Sequence, residues 1–228
     1  MPLKKDVIKI IESYITILTL IVISIIIFSM RKYIIRLLLG FNGFIAVFLL
    51  SLIGCLSIVP IPYTYILFLI AMHYELNPII VSLGGAFGST LGETIAWLLG
   101  RASSSMLRDT KYFKRIEIII KFTKSHGSIA LPILTFIFAL TPLPDKILFL
   151  PLGVVRYSVL RILPAAFLGK MLMNIIIIIT AQTWGVIGEE VLGLDEILMF
   201  IVTTAMLIII MSIIMFIKWE KILGIQIS

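Results

Sequence analysis

The sequence has few of the residues on which soluble proteins and metalloproteins depend. Only 14% of its 228 residues are charged, and it contains one cysteine and two histidines. One cysteine cannot form an internal disulfide, and these three residues cannot supply the four protein ligands of a common structural zinc site. Soluble domains are about half apolar, whereas this chain is 61% hydrophobic. The composition therefore excludes a soluble single domain.

Motifs of intramembrane enzymes are also missing. The sequence has no His-Glu-x-x-His, no Gly-x-Ser-x-Gly and no paired intramembrane aspartates, and His73 and His126 fall in predicted loops. We therefore predict that the protein is not an enzyme and needs no cofactor. The net charge of +7 does not indicate nucleic acid, because basic residues in so apolar a chain are typical of topology signals and anionic-lipid contacts.

What the sequence does have is long apolar runs. A membrane-spanning helix needs about 20 apolar residues. The runs predict an all-α polytopic protein of the cell membrane, with an N-terminal transmembrane helix and basic flank in residues 1–36, a core in residues 37–188, and an acidic loop with a C-terminal transmembrane helix in residues 189–228. Within the core, residues 79–100 and 162–183 are predicted spans.

Two apolar stretches of the core do not fit simple spans. Residues 37–72 are uncharged, too long for one span and too short for two full spans with a loop, and contain Pro60-Ile61-Pro62. Residues 128–155 are interrupted by Thr141-Pro142-Leu143-Pro144-Asp145. Proline removes a backbone donor and biases the preceding residue away from helix. We interpret each stretch as a re-entrant hairpin, which is tolerated at membrane depth only where protein or water covers it.

Each predicted hairpin precedes a span that carries a charge directly after a glycine. Glu93 follows Gly92 in the first half, and Lys170 follows Gly169 in the second. The two hairpins are expected to enter from opposite sides, which makes the halves an inverted repeat. Paired broken segments in such repeats indicate a substrate site near the bilayer midplane.

A basic amphipathic segment, residues 101–127, separates the two halves. It is predicted to lie on the cytoplasmic surface, either binding anionic headgroups or serving as a solvated linker helix. This orientation places the C-terminus in the cytoplasm and the acidic loop outside. Arg31, Lys32 and Arg36 oppose the trend, so the orientation of the first span stays open.

Three motifs resemble the DedA family, also called the VTT domain or SNARE-associated Golgi protein family. Gly92-Glu93 through Gly100-Arg101 resembles the family pattern Gly-acid-x-x-x-aromatic-x-x-Gly-Arg, and the two proline turns resemble the family's turns. The second turn is closest to archaeal and eukaryotic members. The resemblance implies two oppositely oriented re-entrant hairpins and movement of lipids: polyprenyl-phosphate recycling in bacterial relatives and phospholipid scrambling in eukaryotic ones.

The sequence departs from the bacterial members at two places. Tyr63 and Thr64 stand where those members usually carry an acid, and Ala139 stands where they carry an arginine. The bacterial ion-coupling scheme therefore does not transfer directly. Whether transport is passive or coupled to protons or sodium is left open.

The resulting hypothesis is a flippase or scramblase for a phosphate-headgroup lipid such as polyprenyl phosphate or a phospholipid. Half-helix N-termini after the turns suit phosphate oxygens. Predicted substrate-binding residues are Lys170, Asn174, Pro60, Pro62, Thr64, Thr141, Pro142 and Pro144; Glu93 and Asp145 are the predicted ion-coupling acids. The alternatives are a lysine that snorkels to the interface, a Glu93 that reaches the interface or pairs with a basic residue, and a capping role for Asp145.

Two other functions remain as alternatives. A non-transporting assembly scaffold, including a homodimer, needs only the basic segment and the glycine ridge of Gly84, Gly88 and Gly92, which permits close helix approach. An intramembrane enzyme is less favoured because no nucleophile with a positioned base is evident.

Overall fold

A computed structural model describes four stretches of the chain, residues 42–56, 63–104, 129–141 and 146–195. It also describes residues 22, 25, 26, 29, 30, 33, 197–199, 201–206 and 209. The chain divides into two compact units, Tyr33–Val186 and a second unit formed by Met1–Lys32 and Ile187–Ser228. Most described residues belong to the first unit.

Most of the described residues of the first unit are helical, and none of the described residues forms a β-strand. The helices are α1 Gly43–Leu56, α2 Tyr63–His73, α3 Pro78–Ala102, α4 Ala130–Ala139, α5 Lys146–Val154 and α6 Leu163–Val186, with a short 3-10 helix Val159–Arg161 before α6. The all-α prediction is therefore confirmed for the described part of the chain.

Helix α3 begins at a strong local signal. The Asn77 side-chain oxygen accepts hydrogen bonds from the backbone N–H groups of Ile79 and Ile80 at 3.1 and 3.2 Å, and Pro78 occupies the first turn. Asparagine satisfies otherwise unpaired donors at a helix start, and proline loses nothing there because that N–H would be unpaired anyway. The break between α2 and α3 follows from these two residues.

Helix α1 packs along α3 at its glycines. A side chain at Gly84 would collide with the Phe44 carbonyl, one at Gly88 with the Phe48 carbonyl, and one at Gly92 with Cys55. The contacts advance together along both helices, so α1 and α3 run parallel. The glycine ridge is thus covered by α1 of the same chain.

Helices α3 and α6 make matching contacts in the two halves. Helix α3 packs against α1 and α5, and helix α6 packs against α4 and α2, while α3 and α6 also pack on each other. Gly92 of α3 lies against Cys55 and Leu52, and Gly169 of α6 lies against Ala139 and Phe136. In each half, the glycine before the predicted charged residue contacts the last turn of the first short helix of that half.

Two of the described helices are long and apolar enough to cross a membrane, Pro78–Ala102 and Leu163–Val191. Their outer surfaces carry large apolar side chains such as Phe87, Leu98 and Ile176, each about half exposed. Apolar residues also recur every fourth position on the exposed side of α4, at Ile129, Ile133 and Ile137. Such a surface is typical of a protein surrounded by lipid. Helix α3 extends slightly beyond the predicted span 79–100 at both ends. Helix α6 continues to Val186, beyond the predicted end at residue 183.

The second unit contributes few described residues. The backbone N–H of Leu198 donates to the Asp195 carboxylate at 2.8 Å, so this residue of the predicted acidic loop caps the helical residues that follow. Gly188 lies against the Met199 side chain. Most of the predicted first span, most of the basic segment 101–127 and the end of the C-terminal span lie outside the described residues.

Candidate functional site

The candidate site lies where α3 and α6 pack on each other. Gly85 lies against the Asn174 amide, and the Phe87 and Phe167 rings meet edge to face with centroids 4.8 Å apart. Trp97 of α3 shares an apolar cluster with Ile162, just before α6. The contacts advance along α3 as they recede along α6, so the two helices run antiparallel.

One face of α3 presents small and polar residues at this interface. Ser82, Gly85, Ser89 and Glu93 follow one another at three- or four-residue spacing, which places them on one helix face. All four are buried, and the exposed fraction of Glu93 is 1%. We call this set the α3 polar stripe.

Lys170 and Asn174 lie one turn apart on the facing side of α6. Their exposed fractions are 1% and 0%. Lys170 therefore does not extend to an interface as a snorkelling lysine would. Along the helix pair, Lys170 lies between the Asn174 and Phe167 contacts, and Glu93 lies between the Phe87 and Trp97 contacts. Each of these two residues, Glu93 and Lys170, interacts with another group of the chain.

Polar atoms at one end of this interface have no hydrogen-bond partner among the described residues. These atoms are the amide nitrogen and the amide oxygen of the Asn174 side chain and the hydroxyl oxygen of Ser82. Ser89, by contrast, donates its hydroxyl hydrogen to the Gly85 carbonyl at 2.6 Å. Buried polar groups normally bind protein, ordered water or a ligand. The α3–α6 interface thus offers donors and acceptors for a polar guest.

An open groove of about 680 Å³ lies beside the same helices. Its lining is mainly apolar and comes from α1, α3 and Leu163 of α6. The α1 and α3 residues are Phe44, Ile45, Phe48, Leu49, Phe87, Thr90, Leu91 and Thr94. Thr90 and Thr94 lie on either side of Glu93 in the sequence, and their hydroxyls donate to carbonyls of α3 itself. The groove therefore offers an apolar surface within one turn of a buried acid.

A sequence profile of the VTT domain matches residues 59–182, more than half of the chain. The chain belongs to the VTT-domain family. VTT-domain proteins are membrane proteins that are often linked to lipid transport. No curated protein and no solved structure matches the chain.

The matched VTT domain contains Glu93, Lys170 and Asn174, which the structure brings to one helix interface. Helix α1, which supplies much of the groove, precedes it. Within the family motif, Gly100 lies against the Leu150 carbonyl, and the Arg101 guanidinium lies 5.2 Å from the centre of the Trp97 ring. These two residues contact α5 and Trp97, at the far end of α3 from the Gly85–Asn174 contact.

The other predicted site residues belong to the proline turns of the VTT domain. Thr64 is half-buried in the first turn of α2, and Thr141 follows α4, where its hydroxyl donates to the Phe138 carbonyl at 2.6 Å. Pro60, Pro62, Pro142, Pro144 and Asp145 lie outside the described residues. Their predicted roles stay predictions.

Ser82, Gly85 and Ser89 of the VTT domain were missed by the sequence reasoning. Their spacing from Glu93 was a usable signal, because residues three or four apart share a helix face. What the spacing could not provide was the facing helix.

Proposed function

We propose that the protein moves a phosphate-headgroup lipid, such as polyprenyl phosphate or a phospholipid, across the bilayer as a flippase or scramblase. One observation carries this proposal. Lys170 and Asn174 are fully buried in α6, a helix long and apolar enough to cross a membrane, and they lie opposite the α3 polar stripe. Neither residue is needed to fill an apolar core, and burying both is costly.

The chemistry of these side chains suits a lipid phosphate. A charged headgroup costs several kcal/mol to expose to hydrocarbon, so a transporter must replace its hydration. The Lys170 ammonium and the Asn174 amide supply donors for phosphate oxygens, and hydrogen bonds between charged groups are stronger than neutral ones. In this proposal the headgroup passes along the α3–α6 interface.

The groove suits the other end of the same molecule. It is lined mainly by apolar side chains of α1 and α3, and it includes Thr90 and Thr94, which lie within one turn of Glu93. A lipid that places its headgroup between α3 and α6 needs an apolar path for its hydrocarbon chain. We assign that path to the groove.

The packing of the two halves supports an inverted repeat of two re-entrant hairpins. Each long helix packs on the first short helix of its own half and on the second short helix of the other half. The matched contacts of Gly92 and Gly169 give the same correspondence. Inverted repeats place the substrate between the halves, and the α3–α6 interface lies there.

Further parts of the proposal concern coupling and orientation. Glu93 is the buried acid through which protons or sodium would couple to transport, with passive movement as the alternative. We place residues 101–127 and the C-terminus in the cytoplasm, where the basic segment binds anionic headgroups.

The scaffold alternative loses one of its two supports. Its glycine ridge was expected to receive a partner helix, but α1 of the same chain covers Gly84, Gly88 and Gly92. A homodimer would need a different surface.

Reconstitution of the full chain into liposomes tests the proposal. Vesicles carry trace fluorescent polyprenyl phosphate or phospholipid, and a membrane-impermeant reductant reports headgroups that reach the outer leaflet. We expect faster exposure of at least one phosphate lipid than in protein-free vesicles. Equal rates for every phosphate lipid tried, with correctly folded protein, would contradict lipid transport and favour a scaffold.

A further inference from the structure

Two arginines from different halves of the chain lie at the end of α3. The Arg156 guanidinium donates two hydrogen bonds to the Ser104 hydroxyl oxygen, from Nε at 3.3 Å and from Nη2 at 3.2 Å. Ser104 is buried, and it lies three residues after Arg101. Arg101 and the serine that binds Arg156 are therefore one helical turn apart at the end of α3.

The surrounding contacts fix this junction. The Trp97 indole N–H donates to the Tyr157 carbonyl at 2.9 Å, and Arg101 lies over the same indole ring. Gly153 approaches the α3 backbone so closely that a side chain there would collide with the Trp97 carbonyl. The turn that carries Arg156 is thus anchored to the last turns of α3.

Arg156 has a backbone conformation that ordinarily favours glycine. Its φ is +57°, and the N–H groups of Arg156 and Tyr157 donate to the Gly153 and Leu152 carbonyls at 2.9 Å each. This is the Schellman motif that commonly ends a helix with glycine. Glycine would adopt this backbone conformation with less strain than arginine. Whatever Arg156 contributes at this position therefore comes from its side chain.

The junction lies where apolar surface gives way to positive charge. Leu98, Leu99 and Leu160 are exposed apolar residues beside the junction, and Arg101 and Arg156 are also exposed. Within the described part of the chain, neither arginine forms an ion pair with an acidic side chain. Ser104 occupies only part of the Arg156 fork, which leaves further N–H donors of Arg156 for a second acceptor.

We propose that Arg101 and Arg156 form a binding site for the phosphate of an anionic membrane lipid. Charge complementarity favours an anion, and arginine forks match phosphate oxygens geometrically. The adjoining exposed leucines favour a lipid over free phosphate, because they would contact its acyl chains. The site lies apart from Lys170 and Asn174, and it requires no translocation step.

Trp97 provides a direct probe of this site. The chain has three tryptophans, so Trp184→Phe with Trp219→Phe leaves Trp97 as the sole fluorophore. The full chain in phosphatidylcholine nanodiscs is titrated with bromine-labelled phosphatidate, and separately with bromine-labelled phosphatidylcholine. Bromine quenches indole fluorescence at short range. We expect phosphatidate to quench Trp97 at a much lower mole fraction than phosphatidylcholine.

Variants separate a lipid site from a structural clamp. Arg156→Gly suits the positive φ, so it should preserve thermal stability while weakening phosphatidate binding about ten-fold. Arg101→Gln should weaken binding similarly without touching the strained turn. Arg161→Gln removes the same charge from an exposed arginine at the same end and should leave binding unchanged.

The possible results are decisive in each direction. Equal quenching by the two lipids, equal losses in Arg161→Gln, or normal binding in Arg101→Gln would overturn the proposal. Displacement of phosphatidate by millimolar inorganic phosphate would instead indicate a free-phosphate site and would also overturn it. Because binding is measured without transport, an inactive transporter that still shows the selective quenching leaves this inference standing.

Discussion

Lys170 is the residue on which the proposed transport depends most. Its side chain is fully buried in a helix whose outer face is exposed leucine and isoleucine, and Asn174 lies one turn away. A buried charged group is more often neutral or unfavourable for stability than favourable. The ammonium group is therefore better explained by what it binds than by what it holds together.

Replacing Lys170 separates these roles. Lys170→Met nearly keeps the length of the side chain and removes the charge, so we expect lipid flux to fall at least ten-fold in protein that still folds. Thr183→Met, at an exposed position of the same helix, serves as the control. Flux in reconstituted vesicles and the thermal unfolding temperature are measured for both. Wild-type flux in Lys170→Met would remove Lys170 from the path.

Asn174 gives a complementary prediction. Its amide atoms have no hydrogen-bond partner among the described residues. Asn174→Leu therefore replaces a buried polar group by an apolar side chain of similar size. We expect stability to rise by about 1–3 kcal/mol and flux to fall. Chemical denaturation and the vesicle assay are compared with the parent protein. Lower stability with normal flux would show that Asn174 is structural.

At this scale the sequence identified the charged residues but not their surroundings. Glu93, Lys170 and Asn174 are conspicuous because ionisable and amide groups are rare in apolar helices. Ser82 and Ser89 are not conspicuous, because serine is common in membrane helices and can donate to its own helix. The two serines matter because α6 lies opposite them, and local sequence spacing does not predict which helix packs there.

Among the elements, the contact between α1 and α3 depends on glycine. The Gly84, Gly88 and Gly92 backbones touch α1 where any side chain would collide with backbone or Cys55 atoms. Close contact of this kind replaces hydrophobic burial, which contributes little between helices already in lipid. The sequence predicted a close helix approach from the four-residue spacing but left the partner open. The partner is α1, whose Phe44 and Phe48 carbonyls lie against Gly84 and Gly88.

Gly88 provides the sharpest test of this contact. Gly88→Ala places a methyl group against the Phe48 carbonyl and the Ser51 hydroxyl, so we expect destabilisation of about 1–3 kcal/mol. Leu98→Ala changes an exposed residue of the same helix and should have a much smaller effect. Unfolding in detergent by a chemical denaturant gives both values. Equal effects would contradict tight backbone packing at Gly88.

On the scale of the whole molecule, the described residues of the unit Tyr33–Val186 form two long helices in contact with each other and four short helices packed on them. Each long helix contacts short helices from both halves, so neither half packs only on itself. The two proline-broken stretches stay predictions made from lengths that fit no simple span, because residues 57–62 and 142–145 lie outside the described part of the chain. Their exchange of partners was not predictable, since apolar runs specify burial in lipid but not which helices meet.

The groove tests whether this arrangement serves a lipid chain. Leu49 of α1 lines the groove, whereas Ile53, one turn later, is exposed and does not. Leu49→Trp should fill part of the groove and slow transport of long-chain lipids more than that of short-chain analogues, because only the long chain needs the full path. Ile53→Trp adds the same side chain outside the groove and should transport both normally. A uniform loss for both chain lengths in Leu49→Trp, or equal losses in the two variants, would show that the groove does not hold the hydrocarbon chain.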